Sequence, residues 1–281
     1  MARGVQPLFL ECDKAQVVTC WAGVAVYFAM VAWFGIWVVL HADAAGAWPW
    51  LIPTTFLALF LADLISGVVH WGTDTWFDER LSERVVSIAR EHHLHPHHIV
   101  GYGVRDYLAY SAWPSLIMLG PIGMPLSLLV APSPVVFHLM WIVFVVSAAM
   151  ILGTYAHRLG HKRSDWAVVR FLQRIHFLID VRHHNVHHRD NHDVQYCVIN
   201  GWANVVCDRI GFWRWLERVI HRLTGAVPRE NDYAWFARYQ PYSPRRGKYV
   251  IGPPDADGRI VMTIAGEAGG SAGRRGAPGH P

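Results

Sequence analysis

Most of the 18 histidines in this 281-residue chain fall into short groups whose spacing suits metal ligation. His157 and His161, in YAHRLGH, are four apart, so a helix sets both imidazoles on one face about 6 Å apart along its axis. His184, His187 and His188 form HxxHH, which puts two or three imidazoles on one side of a helix. His70 and Asp74 repeat the four-residue step, and Asp63, seven residues before His70, shares that face. His92 and His93 head the crowded run REHHLHPHH, and His176, His183 and His192 lie around the HxxHH group. Imidazole and carboxylate donors suit iron, zinc, copper or nickel. A ligating imidazole uses one nitrogen and usually gives its other N–H to a carboxylate or carbonyl. Asp63, Asp74, Glu91, Asp180 and Asp193 are the carboxylates within sequence reach for that purpose.

A single site takes three or four protein ligands, so about nine clustered candidates are enough for two metals. Zinc remains open on residue types alone. A pair of irons suits O2 chemistry on a lipid chain, because taking hydrogen from an unactivated methylene needs an oxidant that side chains do not supply.

The elements that must position these residues read as membrane helices. Hydrophobic residues make up 53% of the chain and charged residues 16%, against about a quarter charged in a soluble domain. The 14 tryptophans suit interfacial belts. Four apolar stretches, at about 17–40, 50–69, 108–130 and 135–155, are long enough to span, and Pro and Gly interrupt the third. The expectation is an all-α integral membrane protein: two helical hairpins, each followed by a histidine-rich segment (70–107 and 156–240) that together cap the bundle with a di-metal site. The loop 41–49 and the turn 131–134 carry no Lys or Arg, whereas Arg80, Arg84, Arg90 and Arg105 lie between the second and third spans. The positive-inside rule then places both termini (1–16 and the tail) and the histidines on the cytoplasmic side. No cleavable signal peptide is evident, and the first span reads as an uncleaved anchor. The net charge of +4 fits anionic headgroups, and no nucleic-acid motif is present. Residues 241–281 form a separate tail, with turns, room for one short strand, and a Gly-rich end that reads as disordered. The four cysteines form no CxxC pair and read as buried free thiols.

VVHWGTDTW, REHHLHP, HRLGH, HHNVHH and HDVQYCVINGWAN, in this order, resemble the membrane-bound di-iron desaturase and hydroxylase superfamily. Within it they are most similar to the plasmanylethanolamine desaturase (Kua-type) lipid desaturase family, over roughly residues 45–232. The resemblance implies O2-dependent desaturation of the 1-O-alkyl chain of an ether phospholipid beside the ether oxygen, giving a vinyl ether. It implies two Fe ions held by His70, His92, His93, His157, His161, His184, His187 and His188, with Asp74 and His192 as weaker members. Asp63, His176, Asp180 and His183 are expected to support the ligands. His95, His97 and His98 exceed the family pattern and are taken as solvated loop residues. Two electrons per turnover must come from outside, since the chain has no flavin or nicotinamide fingerprint. The expected donor is a cytochrome b5-like or ferredoxin-like carrier docking near Arg158, Lys162, Arg163, Arg170 and Arg174. The composition of the tail suggests a bacterial inner membrane.

Other readings fit less well. A fatty acyl desaturase, a sterol oxidase or a carotenoid hydroxylase would use the same motifs. A metal transporter needs ionisable residues through the span interiors, where only Asp63 and His138 lie. A membrane cytochrome needs histidines facing one another across the bilayer interior. A zinc protease of the HExxH type is excluded because that motif is absent. His138 alone reads as a packing residue.

Overall fold

The computed structural model describes residues 14–46, 48–76, 92–93, 96, 98–101, 104–188, 192–228, 249–251 and 262–264. Four long helices form the body: α1 (Lys14–Leu40), α2 (Leu51–Thr75), α3 (Val104–Leu129) and α4 (Pro134–Met150). Five shorter ones form the cap: α5 (Gly153–His161), α6 (Ala167–Arg174), α7 (Val181–His187), α8 (Trp202–Arg209) and α9 (Phe212–Thr224). Among the described residues three helices are long and apolar enough to cross a membrane, and α4 with α5, bent by 44°, makes a fourth if the pair is one span. The chain is a multi-pass membrane protein.

The expected pairing into two hairpins needs correction. α1 packs chiefly against α3, and α2 against α4, whereas α1 and α2 make little contact with each other. The reason is that α4 sits between them. It receives the Tyr27 hydroxyl from α1 at the Ser147 carbonyl. It also donates from Trp141 Nε1 to Thr55 Oγ1 of α2 at 2.9 Å. Around these bonds Tyr27, Phe34, Phe137 and Met140 form a tightly buried core. Gly123 lets α3 close on that core, since a Cβ there would stand 2.3 Å from the Phe34 ring.

Three boundaries also differ from expectation. α2 continues past the expected end at about residue 69 to Thr75, so His70 and Asp74 stand on its last turns, on one helical face as their four-residue step predicts. α3 runs unbroken through Pro114, Pro121 and Pro125. The apolar stretch expected to run to about residue 155 is broken after Met150, where α4 stops and α5 continues beyond the bend. In the tail, where one short strand was expected, two occur among the described residues: Tyr249–Ile251 pairs antiparallel with Met262–Ile264.

Candidate metal centre

Four pieces of chain converge at one end of the bundle. The end of α2 brings His70 and Asp74, a helical turn brings His92 and His93, α5 brings His157 and His161, and α7 with the next residue brings His184, His187 and His188. They fall into two groups, in each of which the donor atoms lie within 4.8 Å of one another. One group is His92, His157, His161, His184 and His188; the other is His70, Asp74, His93 and His187. The groups adjoin, with the His70 and His157 rings 4.9 Å apart.

The hydrogen bonds decide which nitrogens face inward. His70 Nδ1 lies 2.9 Å from the Tyr196 carbonyl, and His187 Nδ1 lies 2.8 Å from the Val194 carbonyl. A carbonyl only accepts, so each Nδ1 carries the hydrogen and each neutral ring presents an Nε2 lone pair. These two Nε2 atoms, with that of His93, surround Asp74 Oδ2 at 3.2, 3.5 and 3.4 Å. In the other group, His184 Nε2 lies 3.0 Å from His161 Nε2 and 3.1 Å from His188 Nε2. His157 Nε2 is buried with no hydrogen-bond partner. Burial drives His92, His184 and His188 well below the ordinary histidine range, and neighbouring imidazoles push the same way. Neutral imidazoles whose lone pairs meet at one point, twice over, fit a pair of transition-metal ions: a divalent cation between them would relieve the crowding of acceptors.

Local packing explains why these residues meet. Gly160 lies against His184: a Cβ there would sit 2.9 Å from the His184 Cβ, so α5 and α7 approach only because that position is bare. Asp180 caps α7, accepting from the His183 amide at 2.8 Å. The 194–197 segment that supplies the two carbonyls is itself anchored. Asp63 Oδ1 accepts from the amides of Ile199, Asn200 and Gly201 at 2.9–3.1 Å, and Oδ2 accepts from Ala203 at 2.9 Å. Ser66 Oγ accepts from the Val198 amide, and the Asn204 side chain bonds both the amide and the carbonyl of Cys197 at 2.8 Å. Gly201 makes the turn at φ +77°, where a side chain would meet the His183 ring.

The supporting residues expected from sequence therefore divide. Asp63 does not orient an imidazole of either group; it clamps a backbone turn, because the turn lies beside it and offers four amides. Asp180 caps a helix, and Asp193 pairs with Arg214 at 2.5 Å. His183 lies outside both groups and meets the Asn204 side-chain amide at 3.2 Å. His176 is exposed at φ +57°, its carbonyl accepting from Trp202 Nε1. His192 also lies outside the groups and stacks on His93, ring centroids 4.1 Å apart and ring planes nearly parallel. Glu91, His95 and His97, and the side chain of His98, lie outside the described residues. Sequence reasoning passed over Ser66, Asn204 and the carbonyls of Val194 and Tyr196. The Asn200-Gly201 pair was the available signal for the turn.

Residues 59–231 match the lipid desaturase domain family. Plasmanylethanolamine desaturase 1 of mouse is 31% identical over 230 residues, 76% of this chain and 81% of the mouse protein. The plasmanylethanolamine desaturase of Myxococcus xanthus is 28% identical over 235 residues, 83% of this chain and 79% of that protein. A chloroplastic fatty acid desaturase 4-like protein of Arabidopsis thaliana is 31% identical over 192 residues, 66% of each chain. No solved structure matches. The matched span takes in every residue of the two donor groups, and by that match the chain belongs to the lipid desaturase domain family.

Proposed function

We propose that this protein is a plasmanylethanolamine desaturase: it removes two hydrogens from the 1-O-alkyl chain of an ether phospholipid, beside the ether oxygen, and releases a vinyl ether lipid. The observation that carries this reading is the pair of adjoining donor groups at the end of a lipid-embedded bundle, in a chain about 30% identical to enzymes of that name. Bound in the two groups, two Fe ions supply the O2 activation and oxidising power that hydrogen removal from a methylene demands. His92, His157, His161, His184 and His188 hold one ion, and His70, Asp74, His93 and His187 the other. Tyr196 and Val194 hold His70 and His187 in the tautomer that ligation needs. Burial keeps bulk water from the site and holds His92, His184 and His188 neutral. The two chain hydrogens, with two external electrons and two protons, reduce O2 to two waters.

In this reading the metal centre and both termini face the cytoplasm of a bacterial cell, the membrane being the inner one. An acidic cytochrome b5-like or ferredoxin-like carrier docks beside the exposed Lys162 and Arg163. Arg158 takes no part, because its guanidinium bonds the Val100 carbonyl and lies over Tyr107 and Tyr155.

A second reading, fatty acyl desaturation, is favoured by relatives named fatty acid desaturases at similar identity. Lipid mass spectrometry separates the two. The chain is expressed in a host without plasmalogens, fed a 1-O-alkyl lipid precursor, with His187→Ala as control. Acid-labile vinyl ether lipid formed only by the intact chain supports the first reading. A new acyl double bond with no vinyl ether supports the second.

A further inference from the structure

The segment that carries the metal-centre carbonyls reaches well below the level of that centre. Asp63 is seven residues from His70 along α2, about 10 Å at the helical rise. The amides of residues 199–201 and 203 bond to it there. Trp202 stacks on Phe56, seven residues further toward the start of α2, with ring centroids 6.0 Å apart. From Leu51 to Asp63 is about 18 Å, whereas the hydrocarbon core is about 30 Å thick. If α2 crosses the bilayer starting at Leu51, the 199–203 backbone lies on the order of 12 Å inside the opposite boundary.

Irregular backbone survives at that depth only where protein groups satisfy it. Here they do: Asp63 takes four amides, Ser66 the amide of Val198, Asn204 both polar groups of Cys197, and Asn200 Oδ1 the amide of Trp202. A carboxylate in mid-span thus has a structural purpose. The helices on either side turn apolar side chains outward. Val168, Phe171 and Ile175 line the outer face of α6 and its end. Val205, Val206 and Ile210 do the same on α8, at 67%, 47% and 66% exposure. Arg174 and Arg209 are exposed beside them, long enough to reach headgroups while their stems stay apolar.

We propose that α6, α8 and the 194–203 loop form a re-entrant cap set into the acyl-chain region of the leaflet on the metal-centre side, with lipid chains covering its outward apolar face. The test places p-benzoylphenylalanine, one site at a time, at Val168, Val205 and Ile210 of the full-length chain in phosphatidylcholine–phosphatidylglycerol nanodiscs. Irradiation is followed by peptide mass spectrometry. Ile117, exposed on α3, is the lipid-facing reference, and Arg182, exposed on the polar side of α7, is the solvent-facing one. Lipid adducts at the three cap sites should match the Ile117 yield and exceed the Arg182 yield at least fivefold. Yields no higher than at Arg182 would overturn the proposal, as would cross-links to a second copy of the chain in place of lipid. Should a labelled chain fail to accumulate, Phe171 and Val206 report the same two faces.

Discussion

The Nδ1–H of His70 donates to the carbonyl of Tyr196 at 2.9 Å, a bond between residues 126 apart in the chain. It fixes the tautomer of an imidazole on α2 from an irregular loop. His187 receives the same treatment from Val194, so one irregular segment orients two of the three imidazoles around Asp74. The loop is in turn tied to α2 by Asp63 and to α8 by Asn204.

Loosening that tie should affect one donor group more than the other. Asn204→Ala frees the amide and carbonyl of Cys197 and with them the grip on Tyr196. Iron per chain, measured on purified protein, should fall from about two toward one, with the five-histidine group retaining its ion. Loss of both ions in equal measure would refute this division.

Asp63→Ala leaves four buried amides without an acceptor. At about 1–3 kcal/mol for each stranded buried group, even partial relaxation costs on the order of 3 kcal/mol. The expected result is a sharp drop in thermal midpoint in detergent, smaller for Asp63→Asn, which keeps one oxygen. An unchanged midpoint for the alanine variant would show that the clamp adds nothing.

Single ligand removals should separate the two groups. His161→Ala and Asp74→Ala should each lower iron toward one per chain and abolish desaturation while the protein still inserts in the membrane. A variant of either that kept two irons and full activity would remove that residue from the ligand set.

Gly160 and Gly72 make a matched pair. A Cβ at Gly160 lies 2.9 Å from the His184 Cβ, whereas one at Gly72 meets nothing within 4 Å among the described residues. Gly160→Ala should part α5 from α7 and cut activity at least tenfold. Gly72→Ala should be neutral or more stable by up to about 1 kcal/mol, the usual gain from replacing a helical glycine. Activity and thermal midpoint together check both.

Lys162→Glu with Arg163→Glu should raise the KM for an acidic electron carrier several-fold and weaken its salt dependence, with iron content unchanged. Equal kinetics for the reversed-charge protein would place the docking surface elsewhere.

What the sequence determined by itself is what local periodicity and residue chemistry can carry. Long apolar runs set the spans, because a lipid-facing segment of that length satisfies its own backbone hydrogen bonds as a helix. The four-residue steps His157/His161 and His70/Asp74, and the HxxHH run, brought their side chains together because each pair lies on one face of one helix. Which donors lie together was decided only by the tertiary structure, since each group draws on three separated pieces of chain. The same holds for the packing of α1 on α3 and of α2 on α4. Helix pairing in a bundle depends on which faces interlock, such as Tyr27 with Ser147 and Trp141 with Thr55, and chain order does not encode that. Asp63 shows the limit most plainly. A lone carboxylate in an apolar run announces a polar partner, but its partners are four backbone amides more than 130 residues away, and amides carry no signature in a sequence.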